Sequence, residues 1–364
     1  MKHNMTLGIL GGGQLGRMSA MAAARLGISV VIFCSEKNSP ASQVSMKTII
    51  APYHDRDALK TFSDLCDVIT YEFENIPVET IDYINSLKPD SVLPEKTLLN
   101  VSQDRIKEKT FINDCGISTA RWATVSTLED IKNTLEAWNV ENFVIKTTRF
   151  GYDGKGQIKG DKSDLNDGSG VSDFLNNTNE QDLILEEMID FDCEASIIIS
   201  RDNQGKSECY DSMLNQHKDH ILHTTIVPSG LPDGIEKSLR DAAEKIANSV
   251  NLTGVLTVEF FICGDGNILV NEIAPRTHNS GHWSIDACTV SQFENHVRTV
   301  CGLPVGSTAR HNNAVMMNLI GTDIESIDEH LTEENANVHL YGKEDIKAGR
   351  KMGHITFLKP LTQT

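Results

Sequence analysis

The sequence predicts an α/β protein built of separate α+β lobes, and three stretches carry that expectation. Residues 6–10 and 30–34 are short apolar runs on either side of GGGQLGRMSAMAAARLG. The chain therefore opens as strand, glycine turn, alanine-rich helix and strand, an open-sheet βαβ unit. Residues 255–262 and 267–273 alternate in polarity around Cys-Gly-Asp-Gly, the pattern of an antiparallel hairpin. Residues 315–320 and 338–341 add strand-like runs, so a small β-rich domain is expected to close the chain.

In the opening unit, Gly11, Gly13 and Gly16 fit GxGxxG, which offers backbone N–H groups to an anion at a helix N-terminus. Glu36 stands where a ribose-binding acid would lie in a dinucleotide site. Gln14 and Arg17 favour a phosphorylated small molecule instead, and the loop alone leaves both open. The run VITYEFENIP, residues 68–77, reads as a strand ending in an acidic loop. There Glu74 either faces the crevice beside Gln14 or caps the helix beginning near Val78.

Residues 104–115 are helical in pattern, with Gly116 placed to end the helix. A strand over 143–146 ends on Lys146, a solvated charge unless the next loop recruits it. That loop, Gly151-Tyr152-Asp153-Gly154-Lys155-Gly156-Gln157, has three glycines in seven residues, more than a hairpin turn needs. It suits a flap whose amides fold over phosphates, and no helix follows to make it a P-loop. Residues 166–179 are polar and expected to be a mobile surface loop, 183–189 is a strand ending in acids, and 236–250 has helical periodicity.

The hairpin puts Glu259 and Glu272 on neighbouring strands. Facing carboxylates suit a hard cation, and Mg²⁺ is usually held by one or two of them plus substrate phosphates. Ordinary solvent-facing strand acids would not need the polar run NEIAPRTHNSGHW that follows. Near the end, residues 343–351 hold four cations, Lys343, Lys347, Arg350 and Lys351, either an anion-binding loop or a solvated charge run.

Composition bounds the function. With 364 residues, 39% hydrophobic and 23% charged, the chain fits a soluble protein of two to three domains. A net charge of −18 argues against nucleic acid or an anionic membrane as partner. No apolar run approaches the ~20 residues of a membrane span, and the N-terminus lacks signal-peptide features. The eight cysteines are scattered without a CxxC pair, as expected of reduced thiols in a cytoplasmic protein.

Taken together, GGGQLGRM, YEFENIP, Lys146 with GYDGKGQ, LEEMIDFDCE, VEFF with NEIAPRTHNSGHW, and GRKMGH resemble the ATP-grasp carboxylate–amine ligases. The resemblance is closest to the 5-(carboxyamino)imidazole ribonucleotide synthetase family of purine biosynthesis, and it spans essentially the whole chain. It implies an N-terminal βαβ domain over 1–103 and an ATP-grasp domain over 104–302 with a flap lobe at about 120–190. A C-terminal β-rich domain would cover 303–364.

ATP would lie between the lobes, with Arg105, Lys146 and the loop Gly151 to Gln157 on its phosphates. Glu186, Glu187, Met188 and Ile189 would line the adenine pocket, and Glu194 would meet the ribose. Glu259 and Glu272 would hold Mg²⁺ or Mn²⁺. Gln14, Leu15, Glu74, Arg276, Lys343, Arg350 and Lys351 would receive aminoimidazole ribonucleotide. Asn271, His278 and Asn279 would border the reaction centre, and Tyr152 or Asp153 would orient bicarbonate or accept a proton. The resemblance further implies a homodimer. A formate-using glycinamide ribonucleotide transformylase, a biotin carboxylase, and an NAD-dependent oxidoreductase built on the first glycine loop are the competing readings.

Overall fold

The computed structural model describes residues 4–151, 154–166, 170–178 and 182–361, and among these the strands form three sheets. The first contains β1 (Thr6–Leu10), β2 (Ser29–Cys34), β3 (Lys47–Ile50) and β4 (Val68–Tyr71), parallel throughout in the order β3-β2-β1-β4. Helix α1 (Gln14–Arg25) covers one face of this sheet. Its Ala-rich side packs against Phe293, Val297 and Val300 from far along the chain. Helices α2 (Arg56–Leu65) and α3 (Val78–Leu87) cover the other face, and α4 (Lys96–Ser102) leads out of the domain.

The glycine turn differs from its expected use. Its amides are already occupied: Gly13 and Gly16 donate to the two carboxylate oxygens of Glu72, at 2.7 and 3.1 Å. Glu72 leaves the end of β4 and is buried, so the anion at the N-terminus of α1 is the protein's own side chain. A Cβ on Gly13 would stand 2.6 Å from Glu72 Oε1, which explains glycine there. Arg17 turns to the carbonyl of Pro40 and to Gln43, away from any phosphate at this turn. Glu72→Ala is expected to destabilise the protein by roughly 2–4 kcal/mol, because two inward N–H donors lose their acceptor. Urea unfolding checks this, and an unchanged midpoint would refute the internal-anion role.

Helix α5 (Arg105–Asp114) follows, with Asp104 accepting from the amides of Ile106 and Lys107 as its N-cap. The second sheet, of order β5-β8-β6-β7, contains β5 (Trp122–Val125), β6 (Asn142–Thr147), β7 (Gln157–Asp161) and β8 (Leu183–Glu187). Helices α6 (Leu128–Trp138) and α7 (Gly170–Asn177) back it. Helix α7 corrects the surface-loop expectation for 166–179. Val171, Phe174 and Leu175 recur at helical spacing and pack into this lobe's core despite the polar composition around them.

The third sheet runs β14-β13-β9-β11-β12-β15-β17-β16, with β10 (Ser207–Cys209) pairing β9 alongside. It comprises β9 (Cys193–Arg201), β11 (Met213–Lys218), β12 (Ile221–Val227), β13 (Gly254–Ile262) and β14 (Ile268–Ala274). To these it adds β15 (Asn313–Ile320), β16 (Ala336–Leu340) and β17 (Lys351–Lys359). The C-terminal strands therefore continue the central sheet, because β15 pairs the open edge of β12 in the register Thr224↔Met317 to Val227↔Ala314. Helix α8 (Asp233–Ser249) covers one face, while Trp283, α9 (Ser284–Ala287) and α10 (Gln292–Val300) occupy the other.

Candidate active site

The expected hairpin forms, and its register decides the site. Glu259 of β13 lies directly opposite Glu272 of β14. The pairing then slips, because Phe260 faces Val270 and Asn271 is left out of the ladder. A bulge of this kind re-aims side chains that would otherwise alternate between faces, so Asn271 and Glu272 both line the same cleft.

That cleft, of 650 Å³, lies where the three sheets meet, a volume suited to a nucleotide-sized ligand. Arg105, Lys146, Gly151, Gly154, Lys155, Gln157, Glu186, Glu187, Met188, Ile189, Glu194 and Asn271 line it, as do Glu259 and Glu272. So do Gln14, Leu15, Glu74, Arg276, His278, Asn279 and Lys351. Lys343 and Arg350 are not among its lining residues. The Lys343 ammonium donates to the carbonyl of Lys351 at 2.6 Å, and Arg350 donates to that of Asp345 at 3.0 Å. The basic run is thus divided: Lys351 opens strand β17 and reaches the cleft, and the cations before it hold the loop together. Gly156 of the flap is not among the lining residues, its carbonyl accepting from Thr147 N–H, while Tyr152 and Asp153 lie outside the described residues.

Lys146 is not a solvated charge. Its ammonium meets Glu186 at 2.7 Å, and Lys109 approaches the same carboxyl at 3.5 Å. Burial alone would raise the Glu186 pKa, but Lys109 and Lys146 outweigh it and hold it down at about 2. Glu186 is therefore anionic throughout the physiological range. Glu74 forms an ion pair with Arg276 rather than capping α3, whose N-terminus has no side-chain cap.

Glu259 lies deep in the cleft, and burial, then the charge of Glu272, pushes its pKa up to about 8. Two opposed carboxyl groups, with Glu259 desolvated and Glu272 at the open side of the cleft, are a donor set that a divalent cation would satisfy, so these residues fit a metal. His278 Nε2 stands 3.5 Å from Glu259. Burial, then Arg276 and Lys351, holds the His278 pKa well below its usual value, so the ring is neutral. Its Nδ1 accepts from the Ser280 N–H at 3.3 Å, which leaves the proton on Nε2, facing Glu259. Asn279 is pinned by a reciprocal amide pair with Asn318, at 2.8 and 3.1 Å.

Sequence reasoning gave three contributors little or no weight. Glu72 is one. His217 is another: it bonds Glu194 across β11 and β9, and although burial would lower its pKa, Glu194 outweighs this and the net shift is upward. His220 is the third, its ring lying against Gly154 of the flap. His217 shows only through the pairing of β11 with β9, and Glu72 and His220 only through loop contacts that no local pattern carries.

Comparison with known proteins accords with this geometry. The ATP-grasp domain profile matches residues 110–293, the ribonucleotide synthetase preATP-grasp domain profile 4–103, and the phosphoribosylaminoimidazole carboxylase C-terminal domain profile 314–363. The N5-carboxyaminoimidazole ribonucleotide synthase of Brucella melitensis is 45% identical over 362 residues, covering 100% of this chain and 98% of that protein. The chain belongs to the N5-carboxyaminoimidazole ribonucleotide synthase family.

Another synthase of this family, from Bacillus subtilis, is 40% identical over 97% of this chain and 91% of its own length. A crystal structure of an N5-carboxyaminoimidazole ribonucleotide synthetase with ADP superposes with a TM-score of 0.91 at 36% identity, covering 99% of this chain and 94% of that one. The Aspergillus clavatus synthase, solved with ADP and 5-aminoimidazole ribonucleotide, gives 0.89 at 28% identity, covering 99% and 95%. Membership in the synthase family and the Glu72-filled glycine turn together set aside the oxidoreductase reading.

Proposed function

We propose that this chain carboxylates 5-aminoimidazole ribonucleotide with bicarbonate at the expense of ATP, giving 5-(carboxyamino)imidazole ribonucleotide, ADP and phosphate. The observation that carries it is the continuous cleft running from Lys146 and Glu186, past the opposed pair Glu259 and Glu272, to Arg276 and Lys351. Bicarbonate oxygen attacks the γ-phosphorus, the bond to ADP breaks, and carboxyphosphate forms. The exocyclic amine of the ribonucleotide then takes the carboxyl group, releasing phosphate and a proton.

Phosphoryl transfer asks the protein mainly for positioning and charge neutralisation. Lys146 and Arg105 supply fixed positive charge, Arg105 also donating to the carbonyl of flap residue Gly151 at 3.2 Å. The loop 151–157 closes over the phosphates and keeps water from carboxyphosphate. Mg²⁺ or Mn²⁺, held by Glu259 and Glu272 with Asn271 beside them, would neutralise phosphate charge. Glu194 takes the nucleotide ribose, and residues 186–189 take the adenine edge. Arg276, oriented by Glu74, and Lys351 receive the ribonucleotide, with Gln14 and Leu15 as the opposite wall. The neutral His278, fixed by Ser280, borders the reacting amine.

ADP release measured with bicarbonate or formate, each with and without the ribonucleotide, tests the reaction. ADP formed only with bicarbonate and ribonucleotide together is the expected result, and formate dependence would overturn it. Lys351→Ala should raise the KM for the ribonucleotide about tenfold or more with kcat little changed, as loss of a uniform binding contact does. An unchanged KM refutes that role.

A further inference from the structure

We propose that Glu108 and Lys109 are positioning residues that hold the bulged turn of β14 so that Asn271 and Glu272 both face the cleft. The proposal rests on the reading of Glu272 as a metal ligand. The bulge at Asn271 interrupts the ladder with β13, and β14 is the edge strand of its sheet, so its outward peptide groups have no strand to pair with. Ser118 accepts the N–H of Val270 at 2.9 Å. Beyond that point the neighbours are side chains of α5. The Lys109 ammonium donates to the carbonyl of Asn271 at 3.0 Å, and Glu108 Oε1 accepts the N–H of Ile273 at 2.7 Å.

Consecutive helix residues thus grip the peptide groups on either side of Glu272. Both are buried, with 2% and 0% of their surface exposed. They satisfy peptide groups that would otherwise be buried unpaired, and the two they hold are those that flank Glu272. Lys109 also stands 3.5 Å from Glu186 on β8, which ties the metal-bearing strand to the flap lobe through one ammonium.

The probe is Mn²⁺ titrated into the full chain with ADP and followed by electron paramagnetic resonance, together with amide exchange at Ile273. Removing an outer partner of a metal ligand typically weakens metal binding 10–100-fold, so Glu108→Ala and Lys109→Met should each weaken Mn²⁺ binding by about that factor. Glu108→Ala should also accelerate exchange at Ile273 while leaving ADP affinity in EDTA unchanged. Glu108→Gln keeps an acceptor oxygen and should restore both readouts. Unaltered Mn²⁺ affinity and exchange in Glu108→Ala, or a Gln variant as impaired as the Ala variant, would overturn the proposal. Lys109→Met makes an independent comparison should Glu108→Ala fail to fold. Glu272→Gln run in parallel separates the two ideas. If it binds Mn²⁺ normally the ligand reading fails, whereas loss there with retention in the Glu108 and Lys109 variants overturns the positioning role alone.

Discussion

Glu272→Gln is expected to lower kcat at least about 10³-fold, equivalent to roughly 4 kcal/mol of transition-state stabilisation, with the fold intact. Glutamine preserves volume and can still accept from Arg105, which lies 3.6 Å from the native carboxylate. The variant therefore removes one negative charge opposite Glu259 and little else. The chemical consequence is a metal site with a single carboxylate, and hence weaker neutralisation of the triphosphate. Repulsion on Glu259 is also relieved, so the variant protein should be at least as stable as the native one. Steady-state ADP release and thermal unfolding check both parts, and turnover within tenfold of native would remove Glu272 from the mechanism.

Lys146→Met should lower kcat/KM for ATP by about 10²–10³, because the ammonium that would meet the phosphates is gone and a thioether cannot replace it. A second effect follows from the ion pair of Lys146 with Glu186. Removing one member of a buried ion pair strands its partner, at a cost of about 3–5 kcal/mol when no other cation is near. Lys109 remains 3.5 Å from Glu186, so the loss here should fall below that range. Combining Lys146→Met with Glu186→Gln should recover stability without recovering activity. Denaturant midpoints and ATP kinetics on the single and double variants distinguish a phosphate contact from a purely structural pair, which would recover both.

The hairpin could be read from the chain because alternation and Cys-Gly-Asp-Gly are local signals, and Gly266, at φ +82°, closes the turn as expected. The bulge that turns Asn271 to the side of Glu272 was not legible, since it exists only in the pairing of two strands. Glu74 stayed ambiguous for a similar reason: its partner Arg276 lies some two hundred residues away. Glu72, beside it, was hidden among strand-end acids until the glycine turn closed on it. The basic run near the end left an anion loop and a solvated charge run both open, and only the pairing of Lys351 with Ile320 marks it as the start of a strand.

The continuity of the largest sheet has a consequence for dissection of the molecule. Cleavage ahead of Asn313 would strip β15, β16 and β17 from it and bare the ladder groups of residues 224–227 on β12. Such an uncovered margin is a template for other chains. A shortened polypeptide should accordingly clump, and the terminal segment serves as a sealing strip for the part that handles the nucleotide.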